Sequence, residues 1–204
     1  MIFGEGSERK QLEQAMRDAG RLPPGQSATL KWPVLHEGPV PPFDPAKWDF
    51  RISGLVERPV RLTWDEFTRL PMKEATADMH CVTRWSRFDV RWEGVPASEV
   101  VKLAHVKPEA KYVMVRADYD YTANVPLADL LRPTTLFALK HNGEPLPPEH
   151  GYPLRLVVPH LYAWKGVKWV RGLEFMPQDL PGFWEENGYH IYGDPFKDQR
   201  YSAV

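Results

Sequence analysis

Cysteine is nearly absent: Cys81 is the only one in 204 residues. That excludes an intrachain disulfide framework and a multi-cysteine zinc site. An excess of one charge is also lacking. Lys plus Arg is 26 and Asp plus Glu is 27, a formal net charge of −1. Such a balance argues against broad electrostatic attachment to nucleic acid or anionic lipid. No run of about 18 apolar residues occurs, so no transmembrane segment is expected. The N-terminal Met1-Ile2-Phe3-Gly4-Glu5-Gly6-Ser7 has no basic stretch followed by an apolar one, so no secretory signal is visible. Together with the unpaired thiol, this points to a cytoplasmic location. The phosphate loops GxGxxG and GxxxxGKS/T, the GxSxG elbow and the HExxH zinc motif are missing as well.

Proline and tryptophan are abundant. The 21 prolines imply many loops and edges and few long helices. A chain with 43% hydrophobic and 26% charged residues has the composition of a folded globular protein. Ser7 to Ala19 reads as a helix capped by Ser7 and stopped by Gly20 and Pro23-Pro24. Residues 1–29 are expected to form a helical arm, with one compact domain over residues 30–204. Trp48, Phe50 and Ile52 alternate with polar residues, and Thr63-Trp64-Asp65-Glu66 forms a capping box. Tyr112–Ala117, Leu136–His141, Leu154–Val158 and Val167–Phe175 read as strands, and Asn142-Gly143 as a tight turn. Ala97–Ala104 and Pro126–Leu131 read as short helices. The expected class is α+β, with a mixed β-sheet core and short helices.

Two stretches carry chemistry. In Asp78-Met79-His80-Cys81-Val82-Thr83-Arg84-Trp85-Ser86-Arg87, nearby Arg84 and Arg87 favour a thiolate at Cys81. Local chemistry alone leaves an inert buried thiol as the other reading. In the second stretch, His150-Gly151-Tyr152-Pro153-Leu154-Arg155 is followed by Lys165-Gly166-Val167-Lys168-Trp169. A strand flanked by His, Arg and Lys can hold a polyanion such as a phosphate, with Gly166 allowing close backbone approach. A solvated strand end is the alternative there. His36 stands among prolines, where packing or surface exposure is the simpler role.

Four segments together resemble the molybdopterin-binding domain of the sulfite oxidase family, and in particular its small bacterial oxidoreductases. They are WPVLHEGPVP at 32–41, MHCVTRWS at 79–86, NGEPLPPEHGYPLRLVVPHLYAWKGVKWV at 142–170 and GFWEENGYHIYGDP at 182–195. The likeness spans roughly residues 30–200. It implies the molybdopterin-binding fold, a molybdenum–molybdopterin cofactor, and Cys81 as the molybdenum ligand. It implies that His150, Arg155 and Lys168 contact the pterin and its phosphate, with backbone help from Gly166 and Val167. His36 falls in the segment that lines the pterin in relatives. The family's immunoglobulin-like and haem domains have no counterpart in these residues. Where methionine-sulfoxide-reducing relatives place a threonine near the pterin, Ala117 stands here.

The implied activity is transfer of an oxygen atom to or from a small oxyanion or an S- or N-oxide. In this reading Arg84, with Arg87, draws the substrate to the metal, while Trp85 and Trp184 shape the pocket. With no haem or flavin motif, an external electron carrier is expected beside the small-molecule substrate, and the chain is expected to be monomeric. Two competing readings are a non-catalytic molybdopterin-binding module and a hydrolase using Cys81 as nucleophile, activated by His80 or His150.

Overall fold

The computed structural model describes residues 5–202. In chain order the elements are α1 (Glu5–Asp18), β1 (Ser27–Ala28), β2 (Asp49–Gly54), β3 (Val60–Thr63), α2 (Trp64–Thr68), β4 (Lys73–His80), β5 (Trp85–Pro96) and α3 (Ala97–Lys102). They continue with β6 (Tyr112–Ala117), β7 (Thr122–Pro126), α4 (Leu127–Leu130), β8 (Leu136–His141), β9 (Glu144–Pro145), β10 (Arg155–Val157), β11 (Val170–Met176) and α5 (Phe183–Glu186). The fold is α+β, and the mixed β-sheet core is divided between two sheets. One has the order β1-β5-β8-β10, with β4 on β5 and β9 on β8. The other has the order β3-β2-β11-β6-β7. Each sheet mixes directions: β1 with β5 and β2 with β11 are parallel, and the remaining pairs are antiparallel.

The period-two pattern explains the core between the sheets. In β2, Phe50 and Ile52 point inward and are at most 1% exposed, whereas Arg51 faces out. Val113 and Val115 of β6, Leu173 and Phe175 of β11 and Phe137 of β8 meet them. Phe67 of α2 closes one end of this core. Its helix starts at Thr63, whose hydroxyl accepts from the Glu66 amide while the Glu66 carboxylate accepts from the Thr63 amide. The helix expected over residues 7–19 runs Glu5–Asp18, so Ser7 lies within it and does not cap it. None of its described side chains is buried. The chain then turns at Gly20, with φ 68°, and Arg21 forks onto Asp78 at 3.0 and 2.6 Å.

Strand β5 is the hub of its sheet, pairing with β1, β4 and β8. Sequence pattern does not reveal it. Two register shifts interrupt its ladders, and Asp89 takes a left-handed φ of 52° in its middle. A bulge of this kind breaks the alternation on which a strand is recognised.

Candidate active site

The basic residues come together because of where β10 sits. Leu154 and Leu156 point into the core, so Arg155 between them faces the other way. The returning chain pairs with β10: the Leu156 amide donates to Val167 O at 2.8 Å and the Val170 amide to Leu154 O at 3.1 Å. Arg155 and Lys168 form an antiparallel bridge, which puts their side chains side by side. Gly151, with φ 115°, makes this possible, since a Cβ there would lie 3.2 Å from the Cβ atoms of both Arg155 and Lys168. Gly166 is similarly confined, its Cβ position lying 3.0 Å from Leu156 O.

Burial governs the electrostatics of this group. Arg155 is 3% exposed, and its guanidinium donates to His150 O at 3.2 Å. Desolvation pushes its pKa down to about 10, so it stays charged at neutral pH. Desolvation, followed by the Arg155 charge, pushes Lys168 down to about 7. His150 is pushed down to about 4 by burial and then by Lys168, so its ring is neutral. That ring stacks on Trp32, with centroids 3.7 Å apart and planes 7° apart, and its buried Nδ1 has no hydrogen-bond partner. Lys168 Nζ donates to Leu35 O at 2.8 Å and to Glu149 O at 2.7 Å, tying down the Pro-rich strap before β2. His36 on the strap pairs with Gly38 O at 2.9 Å and meets the edge of Trp169 at 5.1 Å.

Cys81 lies in the turn between β4 and β5. Its amide donates to Trp85 O at 2.9 Å, and the Arg84 amide donates back to Cys81 O at 3.0 Å. Two distant groups brace the turn: Gln26 Nε2 donates to Cys81 O at 2.9 Å and Arg200 to Val82 O at 2.6 Å. The sulfur lies 3.1 Å from the Thr83 hydroxyl. Cys81 packs with Val82, Tyr162 and Trp164, and with the partly exposed Trp85, Trp184 and Tyr189.

A cavity of about 530 Å³ joins the two groups. Cys81, His36, His150, Arg155, Gly166, Val167 and Lys168 all line it, as do Trp85 and Trp184. Arg84, expected at the catalytic end of the site, is not part of this wall. The turn ends at Arg84 in the left-handed region, with φ 74°, and its Nη1 lies only 2.9 Å from the Cβ position of Gly25. Arg87 is also outside the wall; it stacks over Trp32 with its carbon 5.2 Å from the ring centroid. Among the described residues the thiol has no histidine partner. His80 is 3% exposed and pairs through Nδ1 with Ser86 Oγ at 2.8 Å.

The structure adds residues that the motifs did not single out. Tyr189 lines the cavity, and burial together with the nearby Tyr201 and Cys81 raises its phenol pKa. Tyr121 donates to Trp164 O at 3.1 Å and lines the same wall, as do Asp118 and Trp32. Trp32, Trp164 and Tyr189 lie within the quoted segments, but aromatic residues there could equally have been core. Tyr121 carries no sequence signal.

A family profile described as the oxidoreductase molybdopterin-binding domain matches residues 37–184. The chain belongs to this family. It is 47% identical over 203 residues to the uncharacterized oxidoreductase YuiH of Bacillus subtilis, covering 99% of both chains. It is 32% identical to the protein-methionine-sulfoxide reductase catalytic subunit MsrP of Gluconobacter oxydans, over 74% of this chain and 54% of MsrP. Among solved structures, the sulfane dehydrogenase SoxCD of Paracoccus pantotrophus superposes with a TM-score of 0.62 at 28% identity, over 68% of this chain and 40% of that one. The chain thus spans the full length of YuiH and about half of MsrP. It is a molybdopterin oxidoreductase of the sulfite oxidase-like group, and molybdopterin is its cofactor.

The residues present fit that cofactor. A buried guanidinium and an amine stand beside a histidine whose Nδ1 lacks a partner, and one cavity runs from them to the only thiol. Among the described residues no cluster of three His, Cys, Asp or Glu side chains could hold a metal by itself. A metal here therefore needs ligands that the cofactor brings. No helix among these residues is long and apolar enough to cross a membrane.

Proposed function

We propose that the chain transfers an oxygen atom to or from a small S- or N-oxide, with Cys81 as the protein ligand of molybdenum. One observation carries this reading: Cys81 and the His150–Arg155–Lys168 group open into the same cavity. When bound, molybdopterin supplies the metal that exchanges the oxygen atom and two electrons. The Cys81 thiol would lose its proton on ligation, leaving a thiolate that suits a soft metal. Arg155 offers a charged fork and Lys168 a point charge to the cofactor's phosphate. Neutral His150, clamped by Trp32, presents ring nitrogens to the pterin, while His36, Gly166 and Val167 line its path.

On the thiol side, Tyr189 has no protein partner for its hydroxyl among the hydrogen bonds of the described residues. It can donate to the oxygen being transferred. Trp85, Trp164 and Trp184 exclude water and orient the substrate. The buried apolar side chains packed around Cys81 are Val82, Tyr162 and Trp164, while Arg155 and Lys168 line the same cavity and couple electrostatically to the sulfur. Electrons arrive from, or leave to, an external carrier.

The test uses chain produced in a host that builds the cofactor. Molybdenum and pterin should co-purify with it, and it should reduce a sulfoxide or an N-oxide with a reduced viologen dye. Cys81→Ser should lose at least about a thousandfold in rate. Undiminished activity in that variant, or pure active chain free of molybdenum, contradicts the proposal.

A further inference from the structure

Beneath the aromatic wall lies a buried ion pair that the reading above does not use. Lys165 has a side chain 0% exposed, and Glu185 one 1% exposed, with Lys165 Nζ 2.6 Å from Glu185 Oε1. The same amine donates to Asn124 O at 2.9 Å, Asn124 Oδ1 at 2.6 Å and Ile191 O at 2.7 Å. An ammonium has three protons, so every one of them is used. The Glu185 oxygen that meets Lys165 also accepts the Trp164 indole N–H at 2.7 Å, and its other oxygen is buried without a partner. Asn124 completes the group by donating to Asp179 at 2.7 Å and to Ile191 O at 3.1 Å.

These contacts join three separate pieces of chain. Lys165 ends the turn at 163–165, whose Trp164 faces Cys81. Asn124 belongs to β7. Glu185 and Ile191 bracket the tail segment that carries Tyr189. Within that bracket Tyr189 meets Trp164 edge-on at 5.0 Å and stacks on Trp184 at 4.9 Å. Burying a charged pair is costly, and apolar replacements of the same volume often stabilise a fold. A pair kept here is therefore better accounted for by the geometry it imposes than by stability.

We propose that Lys165 and Glu185 are positioning residues that set Trp164, Trp184 and Tyr189 over the Cys81 sulfur and so govern access of substrate to it. The inference rests on Cys81 being the reacting centre, but its test reads the wall itself. Because Cys81 is the sole thiol, its alkylation by iodoacetamide in cofactor-free full-length chain reports access directly. Glu185→Gln keeps an acceptor for Trp164 while removing the charge that Lys165 meets. Lys165→Met/Glu185→Gln removes both charges and guards against an unpaired buried ammonium.

Variants that keep the native circular dichroism should alkylate at least about tenfold faster than the parent, the double variant less so than Glu185→Gln. Glu186→Gln, on the exposed neighbouring position, should match the parent. In cofactor-loaded chain the same variants should raise KM for an oxide substrate more than they lower kcat. Parental alkylation rates together with an unchanged KM in both variants would overturn the inference. That result would leave the Cys81 assignment standing, because Cys81→Ser tests it separately.

Discussion

The basic wall of the cavity comes from one stretch, residues 150–168, while the wall around the thiol is assembled from Cys81, Val82 and Trp85, Tyr162 and Trp164, and Trp184 and Tyr189. The first is local. A strand, its return and two glycines put His150, Arg155 and Lys168 together, so residue types at a given spacing announce a polyanion site. The second is topological. It exists only because the tail folds back and is locked by Lys165, Glu185 and Arg200. The basic wall carries the buried Arg155 and the partly buried Lys168, and the wall around the thiol is mainly aromatic. In the function proposed above the first holds the cofactor and the second governs what reaches the sulfur.

Breaking the basic wall should give the largest effect. Arg155→Met removes a buried cation that faces the cavity, and cofactor retention should weaken by about a hundredfold. Pterin content after gel filtration measures this, and retention at the parental level would remove Arg155 from the cradle.

Lys168 gives a smaller, pH-dependent effect. Its pKa is about 7 in the fold against 10.5 ordinarily, mainly through desolvation. Between these values the unfolded chain holds a proton that the folded chain lacks, so stability from this amine is present above the ordinary value and lost as pH falls through about 7. Anion binding runs the opposite way, because it needs the ammonium. Inorganic phosphate, titrated into cofactor-free chain, should bind more weakly as pH rises through about 7, and Lys168→Met should flatten that curve. An identical pH profile in parent and variant would place the titration elsewhere.

The smallest effect is expected at Arg84. Its side chain lies outside the cavity, so Arg84→Ala should change kcat/KM by less than about twofold. A loss of a hundredfold or more would restore it to the substrate side and undo the contrast between the walls.

How much of this was readable in the chain follows the same division. Tyr112–Ala117 and Leu136–His141 match their strands to the residue, because each is a compact run with β-type side chains. The capping box at Thr63 is present as read. Strand β5 escaped because Arg87, Asp89, Arg91 and Glu93 blur its alternation and bulges break it. Strand β7 escaped because five residues with an asparagine at their centre carry little pattern. In the site, residue types and spacing bring Cys81, His150, Arg155 and Lys168 forward as candidates, and all four line one cavity. Arg84 stands outside the cavity because the left-handed turn at φ 74° carries its side chain toward Gly25, which proximity in sequence does not reveal. Tyr121 and Tyr189 reach the cavity wall only through the fold, and no local motif marks either of them.

The sharpest measurement is X-ray absorption at the molybdenum edge, on the cofactor-loaded chain and on Cys81→Ser. If the metal binds the protein through this sulfur, the variant should retain pterin while its molybdenum shows one sulfur neighbour fewer. The same sulfur count in both proteins would contradict the account at its centre.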